Sequence, residues 1–116
     1  MRRHDIPFPP TPERVELGAS LFRALGDPTR LLLLLALRDD ELTVGELVAL
    51  VSKPQSTVSR HLGILRQALL VRTRRDSQQV FYRIASVHVA DLVIQAMSHS
   101  DHVIGAIPHD HEDVTP

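Results

Sequence analysis

Three histidines, His88, His99 and His102, lie in the otherwise largely apolar stretch 87–103. Neutral imidazole is a common protein ligand for zinc, nickel, cobalt and copper. At 100° per residue, His99 lies about 20° from His88 around a helix and His102 about 40° to the other side. All three therefore share one face, and the spacing predicts a metal-binding stripe.

One helix cannot close such a site. His99 follows His88 by eleven residues, or about 16 Å along the axis, whereas ligands lie within about 2.1 Å of the ion. Two copies packed antiparallel bring His88 of one beside His99 and His102 of the other. We therefore expect a homodimer with two symmetry-related sites. The apolar residues that support this pairing are Val87, Val89, Leu92, Val93, Ile94, Ala96 and Met97.

Further candidate ligands follow the stripe. Asp101 precedes His102, and the ending IPHDHEDVTP contributes His109 and His111. A large shell of imidazole and carboxylate favours six-coordinate nickel or cobalt, but imidazole also suits zinc, so these three metals stay open. The alternative interpretation of this ending is a disordered polar tail.

Composition excludes other kinds of chemistry. The chain has no cysteine, which excludes disulfides, thiolate metal sites and cysteine nucleophiles. It also lacks a glycine-rich phosphate loop and an HExxH motif, so we do not expect an enzyme. The longest apolar run, 31–37, is far shorter than the roughly 20 residues that span a bilayer. No signal-like apolar segment follows the N-terminus, so we expect a soluble cytoplasmic protein with no membrane partner.

Charge is segregated along the chain. Residues 53–83 contain seven basic residues and one acidic residue, whereas the rest contains six basic and 13 acidic residues. The basic segment is either a solvated face or a surface for nucleic acid.

Periodicity predicts mostly helix. One helix covers 13–25 and another covers 28 to about 38. Two phrases have the form of a capping box: TVGE, opening a helix at Thr43 that runs to about 51, and SKPQ, opening a helix at Ser52 that reaches 67 or 68. These two helices meet across a tight connection, which is the helix-turn-helix arrangement.

The second helix of this pair has a core face formed by Val58, Leu62 and Leu65, with His61 at its boundary as a packed or capping residue. Its outward polar residues suit base edges and phosphates in a major groove. The predicted DNA-contacting residues on this helix are Gln55, Ser56, Thr57, Ser59 and Arg60.

A β-hairpin follows, with strands at 69–75 and 79–84 and with Arg72, Arg74 and Arg75 on or near its tip. A basic hairpin after a helix-turn-helix predicts a winged helix-turn-helix, mainly α with a small β-hairpin (α+β), that binds double-stranded operator DNA. We expect a flexible arm at 1–12, a DNA-binding and dimerisation domain at 13–104, and a tail at 105–116.

The phrases DPTR and STVSRHL, the LR that follows and the wing, within residues 22–102, resemble the ArsR/SmtB family of winged-helix metalloregulators. The resemblance implies a dimer formed through the N- and C-terminal helices. It also implies repression of metal-efflux or resistance genes, with bound metal lowering operator affinity.

The family's metal sites match this chain unequally. Thr43 and Gly45 stand where its thiolate site has cysteines, so that site is excluded. The terminal-helix pattern, Asp-x-His-x10-His-x2-His, is kept except that Ser86 replaces the aspartate, and we expect Ser86 to cap the helix instead. The ending resembles the nickel/cobalt-sensing branch, in which a C-terminal segment and an acid at the position of Asp101 contribute ligands.

Three functions follow from these patterns. The first is a metal-released repressor. The second is a regulator of the same fold without direct metal control, acting with a co-regulator protein. The third is a histidine-rich metal-storage protein, against which the basic segment argues.

Overall fold

Five helices and one hairpin make up residues 6–106, the part of the chain that the computed structural model describes. The order is α1 (Pro12–Leu25), α2 (Pro28–Ala36), α3 (Val44–Val51), α4 (Gln55–Gln67), β1 (Val71–Asp76), β2 (Gln79–Ile84) and α5 (Val87–Ala106). This is the predicted winged helix-turn-helix, with α3 and α4 as the helix pair and the hairpin as the wing.

Side-chain caps start the early helices. The carboxylate of Asp27 accepts from the backbone N–H of Arg30 at 3.0 Å, and Pro28 occupies the first turn of α2. The predicted capping box at α3 is confirmed: Thr43 N–H donates to Glu46 Oε1 at 2.9 Å, and Glu46 N–H donates to Thr43 Oγ1 at 3.2 Å. Helix α2 ends two residues earlier than its predicted end.

The second predicted capping box, at Ser52, is wrong. Ser52 closes α3 in the left-handed conformation, with φ 55° and ψ 45°, and its N–H donates to Val48 O at 2.9 Å. An N-cap residue needs an extended backbone directly before the helix, whereas α4 begins at Gln55 after Pro54 and has no side-chain cap. The left-handed Ser52 instead makes the connection between α3 and α4 tight.

The core lies between α2, α3 and α4, with the base of the wing and one residue of α5 closing it. On α4 the predicted core face is buried, and His61 is buried with it. The largest fully buried side chains are Leu33, Leu34, Leu37, Leu47, Val58, Leu62, Leu65, Leu70 and Val93.

Helix α4 ends in a Schellman motif, which extends past Leu69 and moves the start of the wing to a later residue. Leu69 adopts φ 64°, and Leu70 N–H donates to Leu65 O at 2.9 Å. Strand β1 consequently starts at Val71, two residues after its predicted start. Asp76 pairs with Gln79 across a two-residue turn, so the strands are antiparallel.

Ser86 opens α5 as predicted, because its Oγ accepts from Val89 N–H at 3.3 Å. The helix continues unbroken for 20 residues and packs on α2 and β2 through Val93, which is 1% exposed. Within residues 6–106, no helix is long and apolar enough to cross a membrane.

Candidate DNA-binding surface and histidine stripe

The first two turns of α4 present polar side chains outside the buried core face, with Ser56 and Arg60 about 160° from Val58 around the helix. Gln55, Ser56, Ser59 and Arg60 are exposed, and Thr57 is half-buried. The burial of Val58 and Leu62 on the other side fixes this orientation, since residues three and four apart share a helix face. The predicted contact residues of α4 therefore lie together at the N-terminal end of one helix.

The wing divides its arginines between two faces. Side chains alternate along a strand, so Arg72 and Arg74 share the face opposite to that of Arg75. Across the hairpin, Arg72 pairs with Arg83, and Arg75 pairs with Val80 near the turn. Two like charges opposite each other repel, so the Arg72 face needs a counter-charge.

Glu41, in the segment before α3, supplies that counter-charge, and the sequence analysis missed it. Arg74 Nε donates to Glu41 Oε1 at 2.8 Å, and Arg83 Nε lies 3.9 Å from Glu41 Oε2. Arg74 also lies 3.8 Å from Asp76 and stacks 4.7 Å from the centroid of the Phe81 ring. The guanidinium of Arg74 is therefore held along the hairpin.

Arg72 and Arg75 are exposed and form no ion pair among residues 6–106. Their charges are available to a phosphate backbone without breaking a contact. The three predicted wing residues thus differ, since within residues 6–106 only Arg74 is paired with a carboxylate.

Behind the exposed face of α4, His61 is 6% exposed and contacts the start of α2. Arg30 Nη1 donates to His61 Nδ1 at 3.2 Å, and Asp27 Oδ2 lies 3.8 Å from the same atom. Burial lowers the pKa of His61, and the nearby Arg60 and Arg30 act in the same direction against the carboxylate of Asp27. The pKa of Asp27 is itself lowered, first by the backbone hydrogen bond from Arg30.

The histidine stripe of α5 faces away from the core. His88, His99 and His102 are all exposed. Helical geometry places them about 140°, 120° and 180° from the buried Val93. His88 also borders an apolar cavity of about 280 Å³ between α1 and α5, lined by Leu17, Leu21, Leu69, Leu70, Val89 and Leu92.

No three histidine, cysteine, aspartate or glutamate side chains converge on a metal-sized point within residues 6–106 of one chain. Asp101 is exposed, but helical geometry places it about 160° from His99 and thus off the stripe. The other two candidate ligands, His109 and His111, lie outside the described residues.

Large apolar side chains are exposed along α1 and α5, the two helices that bracket the apolar cavity. A stable monomer rarely exposes so many on two neighbouring helices. These residues are Val15, Leu17, Phe22, Val87, Leu92, Ile94, Val103 and Ile104.

Comparison with known proteins places this arrangement in a family. Residues 27–73, from the start of α2 into β1, match the bacterial regulatory protein, arsR family. The transcriptional regulator KmtR of Mycobacterium tuberculosis is 45% identical over 105 residues, which cover 90% of this chain and 81% of KmtR. This chain belongs to the arsR family. The expectation from DPTR, STVSRHL and the wing is thereby confirmed.

A second relative and a solved structure are also similar to this chain, in sequence and in fold. The transcriptional repressor SmtB of M. tuberculosis is 39% identical over 95 residues, covering 82% of this chain and 70% of SmtB. A homodimeric winged helix-turn-helix domain from Mycobacterium bovis superposes with a TM-score of 0.76 at 27% identity, covering 85% of this chain and 92% of that domain. The chain is thus a winged-helix transcriptional regulator and not an enzyme.

Proposed function

We propose that this chain is a homodimeric repressor that binds operator DNA and is released by nickel or cobalt, or by zinc, held between the α5 helices of the two subunits. The proposal rests above all on the outward orientation of the histidine stripe. Imidazoles that served only packing would lie on the Val93 side of α5, whereas these lie on the opposite side.

The dimer follows from the surroundings of the stripe. Leu92 and Val103 are exposed and lie within about 60° of His88 around α5. A partner α5 packed antiparallel covers these apolar side chains and brings His88 of one subunit to His99 and His102 of the other. The same contact covers the apolar cavity beside α1, and two-fold symmetry produces two such sites.

The donor set fits a borderline transition metal. Three imidazoles provide nitrogen ligands, and Ser86 is occupied in capping α5 rather than available as a ligand. Zinc needs one more ligand, and nickel or cobalt needs about three more. His109 and His111 are the nearest candidates in sequence, whereas Asp101 points away from the stripe. The ion's contribution is a cross-link between two helices, with no chemistry of its own.

Operator binding uses the exposed start of α4 and the unpaired wing arginines. In a two-fold dimer, the two α4 helices enter successive major grooves about 34 Å apart. Arg72 and Arg75 neutralise phosphates, which releases counterions and makes binding dependent on salt. Metal between the α5 helices alters the packing of the subunits and thereby the relation between the two α4 helices. A coupling of about 1–3 kcal/mol, or about 5- to 150-fold in affinity, is sufficient to switch occupancy.

Fluorescence anisotropy with a labelled fragment of the protein's own promoter tests this proposal. At fixed salt, nickel, cobalt or zinc should weaken binding by wild type. The His88→Ala variant should bind DNA normally without metal and fail to respond to it. Ser98→Ala, which removes an exposed side chain next to His99 on the same helix, is the matched control and should respond like wild type.

A second candidate is a regulator of the same fold that responds to a co-regulator protein instead of metal. The replacement of aspartate by Ser86, whose hydroxyl caps α5, is the observation that favours it. This candidate predicts tight promoter binding that no metal changes. The cobalt absorption spectrum separates the two candidates, since a protein without the site gives no ligand-field bands. A storage protein, by contrast, would show no salt-dependent DNA binding at all.

A further inference from the structure

Arg30 joins three helices through a single guanidinium. It occupies the first turn of α2, and its Nε donates to Ala24 O at 2.6 Å, in the last turn of α1. Nη2 donates to Arg23 O at 3.4 Å, and Nη1 donates to His61 Nδ1, on α4, at 3.2 Å. The side chain therefore links the C-terminal end of α1 with the middle of α4.

The partners on α1 need this donor. The last four carbonyls of a helix have no partner within the helix. Gly26 N–H reaches Phe22 O and Arg23 O, and Asp27 N–H reaches Leu25 O, which leaves Ala24 O to Arg30. A cation at the negative end of the α1 dipole is also favourable. Arg30 is thus fixed on α1 by its own hydrogen bonds.

The partner on α4 is equally constrained. A guanidinium can only donate, so His61 Nδ1 is the acceptor in its contact with Arg30. His61 is buried, and it has Asp27 on one side and Arg60 on the other. A buried imidazole nitrogen that lost its donor would be left unsatisfied, so the contact resists displacement.

Helices α1 and α4 face each other across an open groove. A cleft of about 470 Å³ opens between them, lined by Ser20, Arg23, Ala24, Arg30, Ile64, Gln67 and Ala68. The main neighbours of α4 are α2, α3 and β1. Arg30 lines this cleft, and its guanidinium forms a polar connection between α1 and α4.

We infer that Arg30 is a positioning residue for DNA binding: through His61 it sets the angle of the DNA-reading helix α4 relative to α1, the helix that faces the partner subunit. In a two-fold dimer any tilt of α4 against α1 occurs twice, so Arg30 determines the separation of the two α4 helices and hence the operator half-site spacing that the dimer accepts. This inference rests on the dimer of the proposed function.

Lysine cannot replace arginine here. Its ammonium is a single point of charge, whereas the planar guanidinium directs donors toward α1 and α4 at the same time. Arg30→Lys keeps the charge at the end of α1 and loses the bridge. Arg38→Lys is the matched control, because Arg38 is exposed near the end of α2, where it contacts Leu35 O and Asp39 and not α4.

The separation of the α4 helices can be measured directly. The chain has no cysteine, so Arg66→Cys, at an exposed position of α4, introduces one nitroxide label per subunit of the full-length protein. Pulsed dipolar spectroscopy should give a narrow distance distribution in the labelled parent and in the Arg38→Lys background. The Arg30→Lys background should give a broader distribution with a shifted centre. Thermal unfolding confirms that each variant is folded at the temperature of labelling.

The DNA consequence is tested with the footprinted promoter site and a copy carrying one extra central base pair. We expect wild type to prefer the natural spacing by about tenfold or more, a penalty comparable to that of one mismatched base pair. Arg30→Lys should lose most of this preference. His61→Leu removes the acceptor on α4 and leaves the contacts of Arg30 with α1 in place. It should show the same loss and replaces Arg30→Lys if that variant does not fold.

The outcomes are separable. An unchanged narrow distribution and an unchanged spacing preference in folded Arg30→Lys or His61→Leu would overturn the inference. Equal weakening on both DNA fragments would also overturn it, because that indicates a loss of folded protein and not of positioning. Absence of any dipolar coupling in the labelled parent would mean a monomer, which contradicts the proposed function itself.

Discussion

Arg74 of the wing donates from Nε to the carboxylate of Glu41 at 2.8 Å, although the two residues are 33 positions apart. The pair places an acidic group against the most basic part of the chain. A DNA phosphate that approaches Arg74 must compete with this carboxylate. We therefore expect Glu41 to limit the affinity of the wing for DNA.

Replacement of Glu41 by glutamine should strengthen DNA binding. An exposed ion pair contributes about 0.2–1 kcal/mol, so its removal from the free protein should raise promoter affinity by about 1.4- to fivefold. Anisotropy at several salt concentrations measures this change. Asp39→Asn is the control, since Asp39 pairs with Arg38 and not with the wing. Weaker binding by Glu41→Gln would mean that Glu41 instead orients Arg74 for its phosphate.

Arg75 should contribute to affinity without contributing to sequence preference. It is exposed, near the turn of the wing, and in no ion pair within residues 6–106. Arg75→Ala should reduce the slope of log affinity against log salt by about 0.9, the value for one phosphate contact. The loss should be equal on promoter and unrelated DNA. Arg38→Ala, at a residue that pairs with Asp39 beside the base of the wing and not at its tip, should leave the slope unchanged.

Acid should destabilise the protein through His61. Its pKa is lowered by burial below the ordinary value of about 6.5, so the unfolded chain binds the proton more readily than the folded one. The contribution of the neutral ring is complete above about pH 6.5 and is lost as the pH falls through the interval down to the lowered pKa. The charges that face the ring are Asp27 and Arg30 on α2, with Arg60 and Lys53 beside it.

Urea unfolding between pH 5 and 8 measures this effect against His61→Gln, which cannot titrate. The free energy of unfolding of wild type should fall with acid more steeply than that of the variant, by up to about 1.4 kcal/mol per pH unit within that interval. The exposed histidines of α5 are present in both proteins, so any contribution that they make to the pH dependence cancels in the comparison. Parallel pH profiles would show that the His61 proton is not linked to folding.

Much of the fold could be predicted because it depends on local patterns. The helical period of Val58, Leu62 and Leu65 predicted the buried face of α4, and the Thr43 capping box predicted the start of α3. The substitution of Ser86 for an aspartate predicted a helix cap. Each of these involves residues on one helix turn or a few turns, where spacing in sequence determines spacing in the structure.

The predictions that were wrong, and the contacts that were not predicted, depend on tertiary packing. Ser52 has the composition of an N-cap, but the tight turn into α4 demands a left-handed residue at its position. Leu69 likewise belongs to the end of α4 and not to the strand, although leucine rarely adopts φ 64°. Arg30 and His61, whose side chains contact each other, are 31 residues apart in sequence. Neither their pairing nor that of Glu41 with Arg74 leaves a periodic signal.

The metal response of promoter binding tests the central claim most directly. Labelled promoter DNA is titrated with wild type and with His88→Ala at one salt concentration, without metal and with nickel, cobalt or zinc. Wild type should lose about 5- to 150-fold in affinity with at least one metal, and His88→Ala should lose none. Equal binding by wild type in every condition, or an unchanged response in His88→Ala, would contradict a metal switch built on the α5 histidines.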